Sequence, residues 1–212
     1  MEREVDIPCG KIITKGILSI PEPVHGLILF AHGSGSGRLS PRNTFVAKVL
    51  QKAGFATLLI DLLTSEEERD RSKVFDIDLL TERLQGAFAW AENEPMIRWL
   101  PIGYFGASTG AAAALKAAAR SDLKIKAVVS RGGRPDLAME DLPKVKSPTL
   151  LIIGGEDGPV IGMNEEAFEQ IRSQKRLVIV PGASHLFEEP GALEEVARLA
   201  TGWFEEYLTK LN

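Results

Sequence analysis

The sequence predicts an α/β fold, with a mostly parallel sheet covered by helices on both faces. Three observations lead there. Short runs that are apolar throughout, not alternating, recur along the chain. Amphipathic stretches at helical spacing separate them. Loops rich in glycine, serine, aspartate and histidine follow several of the runs. In such a sheet ligands bind beyond the carboxyl ends of the strands, so the residues after each run carry the functional information.

The elements follow in order. Lys11 to Ile20 and the weaker stretch before it read as a hairpin. Leu27 to Ala31 (LILFA) is a buried strand followed by a glycine-rich loop. Asn43 to Lys52 is a helix with Phe45, Val46, Val49 and Leu50 at helical spacing. Ala56 to Ile60 is a strand ending at Asp61, and the charged stretch SEEERDRSK after it reads as a solvated loop or helix face. Ile77 to Asn93 is a helix, Ile102 to Phe105 a strand, and Thr109 to Arg120 an alanine-rich helix. Lys126 to Ser130, Thr149 to Ile153 and Arg176 to Val180 are strands, with a helix from Glu165 to Ser173 between the last two. Leu193 to Leu208 is the final helix.

Composition narrows the function. At 212 residues the chain is expected to form one domain, 1–212, and 44% hydrophobic with 25% charged residues is an ordinary globular balance. A net charge of −4 lacks the basic footprint of a nucleic-acid binder, so no nucleic-acid partner is expected. No apolar run approaches the roughly 20 residues of a membrane helix, so no membrane partner is expected either. The single cysteine, Cys9, excludes an internal disulfide, and the opening MEREVDIP is too polar for a secretory leader. Both point to a reducing cytoplasm.

A serine, an acid and a histidine converge on one edge of the predicted sheet. Gly106-Ala107-Ser108-Thr109-Gly110 fits G-x-S-x-G between a strand and a helix, where the turn is sharp enough to strain the serine and demands glycine on either side. Ser108 is read as a nucleophile; the bland alternative is a serine that caps the alanine-rich helix. A hydroxyl needs a base. Of the three histidines, His25 lies at the wrong end of the sheet and His32 is expected to order its own loop. His185, after the last strand, is left as the base. The acid that orients it is Asp157 or Glu156 after Thr149–Ile153, with Asp157 favoured and Asp136 and Asp141 as outside candidates. The oxyanion donors are expected to be the backbone N–H groups of Thr109 and Ser34, the latter in a loop whose glycines at 33, 35 and 37 permit close approach.

With "HGSGSGR", "GASTGAAAAL", "GGEDGPV" and "PGASHLFEE" in this order, nearly the whole chain resembles the α/β-hydrolases, and within them the dienelactone hydrolase-like group. The resemblance implies the α/β-hydrolase fold, the triad Ser108, Asp157 and His185, and oxyanion roles for Ser34 and Thr109. Dienelactone hydrolase proper has a cysteine where this chain has Ser108, which shifts the implied substrate toward a generic small ester or thioester. No insertion is long enough for a cap domain, so an open site is implied.

Other readings compete. HGSGSGR with Asp61 mimics a dinucleotide-binding arrangement, but the third glycine is replaced by Arg38 and the serine and histidine stay unexplained. No Gly-Lys-Ser/Thr follows the loop, and no zinc motif is present, so neither a cofactor nor a metal is implied. A hydrolase-like fold used only for binding is the non-enzymatic reading. Arg131 and Arg134, and likewise Arg38 and Arg42, are read either as solvated loop residues or as a clamp for a substrate carboxylate or phosphate. Phe187 and Phe75 are candidate acyl-pocket residues.

Overall fold

The computed structural model describes residues 1–120 and 125–209. Eight strands form one sheet in the order β1-β2-β4-β3-β5-β6-β7-β8. β1 (Glu2–Cys9) and β2 (Ile12–Ser19) make the predicted antiparallel hairpin at one edge, and β2 joins β4 antiparallel. The other pairs, among β3 (Gly26–Ala31), β4 (Phe55–Ile60), β5 (Ile102–Ala107), β6 (Ile125–Arg131), β7 (Thr149–Gly154) and β8 (Lys175–Val180), are parallel. β3, β4, β5 and β7 are buried at every residue, which is why they read as continuous apolar runs.

The helices divide between the faces. α3 (Ile77–Asn93), α4 (Thr109–Ala119) and α5 (Gly158–Gln170) cover one face, with Leu84, Ala112 to Leu115 and Ala167 packed on Tyr104 and Val128. α1 (Pro41–Lys52) and α6 (Ala192–Leu208) cover the other, with Leu50 and Phe204 packed against Phe30, Phe105 and Val129. A four-residue helix, α2 (Arg71–Val74), and a single turn over Glu67–Arg69 occupy the charged stretch after β4, whose residues stay largely exposed as expected.

One helix differs in extent. The sequence predicts Glu165 to Ser173, whereas α5 begins at Gly158 and ends at Gln170. Gly158, Pro159 and Gly162 carry a loop's composition, but proline is tolerated in the first helical turn, where its missing N–H has no intrahelical partner to lose. The consequence reaches the site, because the earlier start makes Asp157 the residue that opens α5.

Candidate active site

Ser108 sits where β5 turns into α4, with φ 50° and ψ −122°. A side chain in that region is strained by about 1–3 kcal/mol and persists only where its surroundings hold it. Here three backbone bonds do so. The Ser108 N–H donates to the Arg131 carbonyl at 3.3 Å, and the Ser108 carbonyl accepts from Ala111 at 3.0 Å and Arg134 at 3.1 Å. The flanking glycines answer a packing demand: a Cβ at Gly106 would fall on the Ala111 backbone, and one at Gly110 on the carbonyls of Ala31 and His32. Ser108 occupies the capping position of α4, yet its hydroxyl makes no capping bond. The hydroxyl is therefore not used by the helix.

Asp157 repeats this pattern. It opens α5 without a side-chain capping bond. Its carboxylate lies 2.6 Å from His185 Nδ1 instead. The loops after β7 and β8 approach closely at Gly154, where a Cβ would collide with the carbonyls of Ala183 and Ser184. With Asp157 ionised, Nδ1–H donates and the Nε2 lone pair faces away from the acid, ready to accept a proton. The His185 loop is fixed by Glu189, which accepts from the Ser184 N–H at 3.0 Å, and by Phe187 at φ 55°. The His185 ring lies over Gly132, where a Cβ would stand 3.5 Å from its Nδ1 and Cε1. Gly132 follows Arg131, whose carbonyl holds the Ser108 N–H, so the loop after β6 touches the serine turn at one residue and the histidine at the next. Glu156 is exposed, and Arg134 and Asp136 pair with each other at 2.8 Å.

The loop after β3 runs along Ser108. A Cβ at Gly33 would be 2.9 Å from that of Ser108. The Ser34 N–H donates to the Thr109 hydroxyl at 3.1 Å, a partner that the sequence did not suggest. Thr109 occupies the first position of α4, where a backbone N–H has no intrahelical acceptor. His32 orders this loop from within. Its Nε2 accepts from the Leu62 N–H at 2.9 Å, so the proton sits on Nδ1, which donates to the Gly33 carbonyl at 2.9 Å. Burial pushes the His32 pKa below the usual histidine range and keeps the ring neutral.

The model of the dienelactone hydrolase family matches residues 17–208. The chain belongs to the dienelactone hydrolase family. A crystal structure of a dienelactone hydrolase from Anabaena variabilis is 59% identical, covers 98% of each chain and superposes with a TM-score of 0.94. Est1E from Butyrivibrio proteoclasticus, 17% identical over 98% of this chain and 99% of its own, superposes with a TM-score of 0.84, which speaks to the fold alone. That fold is the α/β-hydrolase fold. A Mycobacterium tuberculosis protein, provisionally named a phosphoribosyl transferase, is 55% identical over 207 residues, which are 98% of this chain and 47% of that protein. The chain thus spans about half the length of the curated relatives it matches.

In this dienelactone hydrolase family member the remaining candidates separate. Arg38 is not available as an anion clamp: its backbone N–H and Nη1 occupy the two carboxylate oxygens of Asp61 at 2.7 and 2.5 Å, and Nη2 reaches Glu4 at 3.3 Å. Both carboxylate oxygens of Asp61 thus accept from Arg38. Phe187 is 1% exposed and packs in the core beneath Arg131, so it offers little surface to an acyl chain, while Phe75 is 48% exposed. An open cleft of about 810 Å³ lies beside the site, lined by residues 35–42, Asp61, Thr64 and Glu68. It meets a small recess lined by Gly33, Ser34 and Thr109 at Gly35 and Ser36.

Proposed function

We propose that this protein is a serine hydrolase that cleaves a small carboxylic ester, lactone or thioester through an acyl-enzyme. The observation that carries the reading is the 2.6 Å contact of His185 with Asp157 beside a serine held in a strained turn, its hydroxyl unused by the helix it opens. Family membership supports the same chemistry.

In this mechanism His185 Nε2 takes the Ser108 proton as Oγ attacks the carbonyl carbon. The C=O π electrons move onto oxygen, and the resulting oxyanion is met by the N–H groups of Thr109 and Ser34. The imidazolium, held by Asp157, returns its proton to the departing alcohol or thiol as the tetrahedral intermediate collapses. Water then repeats the sequence on the acyl-enzyme and leaves the acid and free Ser108. The Ser34 N–H, which donates to the Thr109 hydroxyl in the structure, is recruited when the oxyanion forms. No cofactor enters any step.

We place the protein in the cytoplasm, a reading supported by its buried free cysteine, Cys9. Among the described residues no helix is long and apolar enough to cross a membrane. We carry no transferase chemistry over from the Mycobacterium relative, whose name describes a protein about twice as long.

A fluorophosphonate probe tests the reading. It should label the protein once, on Ser108, and Ser108→Ala should abolish labelling and lower kcat by about a thousandfold or more. A p-nitrophenyl ester series from acetate to octanoate, run beside a dienelactone, then ranks the substrates. Labelling that survives Ser108→Ala removes the nucleophile assignment.

A further inference from the structure

Arg131 closes β6 and leaves the sheet on the α1–α6 face, as Val129 and Ala127 do two and four residues earlier. It is 6% exposed, and the Phe187 ring lies 5.9 Å from its guanidinium carbon. Its one side-chain hydrogen bond among the described residues runs from Nη2 to Asn43 Oδ1 at 3.3 Å, and its Nε is buried without a partner. Among the described residues no carboxylate pairs with it. Burial and the neighbouring positive charge of Arg42 push its pKa down to about 10, which still leaves it charged at neutral pH. An uncompensated buried cation costs several kcal/mol, so a site that keeps one gains when an anion enters.

Arg42 supplies a second cation from a different element. Its Nη1 meets the exposed carboxylate of Glu188 at 3.3 Å, and its Nε is buried without a partner. Arg42 and Asn43 belong to the first turn of α1, which Ser40 opens and Pro41 follows. The Arg42 backbone N–H precedes the first intrahelical bond, and the positive end of the helix dipole adds to the two guanidinium groups. The backbone of Arg131 adjoins the serine turn. The carbonyl of Arg131 holds the Ser108 N–H, and the next residue, Gly132, packs under His185.

We propose that Arg131, Arg42 and the first turn of α1 form a subsite for a phosphate monoester carried by the substrate, beside the ester that Ser108 attacks. This assignment rests on the ester-hydrolase reading above. The chemistry favours phosphate over carboxylate. One guanidinium fork satisfies a planar carboxylate and would leave the second cation uncompensated. A tetrahedral dianion can take donors from β6, from the Arg42 side chain and from the helix end at once. Glu188, exposed and held only at its edge, is free to swing away as the dianion replaces it.

Inorganic phosphate is the probe, titrated into wild type and Ser108→Ala at constant ionic strength, with chloride and succinate as controls. At ten times Kd a ligand raises the thermal midpoint of a domain this size by roughly 3–6 °C. That saturable rise is expected with phosphate in both proteins, and not with chloride or succinate. Arg131→Gln and Arg42→Gln should each weaken phosphate binding at least tenfold. Should Arg131→Gln fail to fold, the partly exposed Arg42→Gln decides alone. In wild type, kcat/KM for 2-acetoxyethyl phosphate should exceed that for ethyl acetate by at least tenfold, and Arg42→Gln should erase the preference. A rise no larger than with chloride, an equal rise with succinate, a rise kept in the variants, or no preference for the phosphorylated ester would each overturn the subsite. The binding arm does not need the nucleophile. A failed probe reaction at Ser108 with intact phosphate binding would therefore remove the hydrolase reading and leave an anion site, and the reverse pattern would remove only the subsite.

Discussion

His185 Nδ1 stands 2.6 Å from Oδ2 of Asp157, while Glu156, one residue earlier, is exposed and uses its backbone N–H on the Ala183 carbonyl. Adjacent acids after the same strand thus have different fates. Asp157→Asn presents an N–H₂ to the ring, favours the wrong tautomer and should lower kcat by at least about a hundredfold. Glu156→Gln should keep most of the activity. Steady-state kinetics on p-nitrophenyl acetate checks both, and the opposite ranking would move the acid by one residue.

The bond from Ser34 to Thr109 separates backbone from side chain in the loop proposed to hold the oxyanion. Ser34→Ala keeps the N–H and should stay within about tenfold of wild type, whereas Ser34→Pro removes it and should lose on the order of a hundredfold in kcat. Thr109→Val removes an acceptor that the Ser34 N–H gives up when the oxyanion forms, so kcat should not fall and should rise by about fivefold at most, the worth of one ordinary hydrogen bond, with Thr109→Ser returning it to the wild-type value. Circular dichroism confirms that each variant is folded before its rate is compared.

Two glycines in helices should respond in opposite ways. At Gly110 in α4 a methyl group meets the Ala31 and His32 carbonyls, which are backbone and cannot turn aside. Gly110→Ala should destabilise by about 3 kcal/mol or more. Gly162 in α5 has nothing within 4 Å of the added carbon, so Gly162→Ala should stabilise by about 0.5–1 kcal/mol. Urea denaturation at matched pH reads both.

His32 makes stability depend on pH with a defined sign. Its folded pKa is depressed by burial, so at mildly acidic pH the unfolded chain binds a proton that the folded chain refuses. Its contribution is fully present above the ordinary histidine pKa of about 6.5 and is lost as pH falls from there through the folded value, with a slope of up to about 1.4 kcal/mol per pH unit. Denaturation midpoints from pH 8 to 5 should fall over that window. In His32→Gln, which cannot titrate, the fall should be shallower.

The order of elements was legible because both faces of β3, β4, β5 and β7 are buried, which leaves continuous apolar runs in the sequence. The placement of Ser108, Asp157 and His185 at strand ends was legible because the strands themselves were, and that is where such a topology gathers ligands. The start of α5 was not, since Gly158 and Pro159 have the composition of a turn. Nor was the fate of Arg38, which depends on Asp61 at the end of the adjacent strand, 23 residues away. The side-chain role of Thr109 and the lone partner of Arg131, Asn43, rest on contacts across 75 and 88 residues, which no local pattern records.

The alanine face of α4 has a consequence in time. Residues 109–115 are all buried between α3 and the sheet, with side chains too small to leave slack, and Lys116 is tied to Asp78 at 2.8 Å. Such a segment has no private way of opening; its amides should exchange with deuterium only when the whole domain unfolds. The exposed stretch at 66–72 should exchange within seconds. Ser108 is thus mounted on one of the slowest parts of the molecule, and any motion around it must come from the loops that face it.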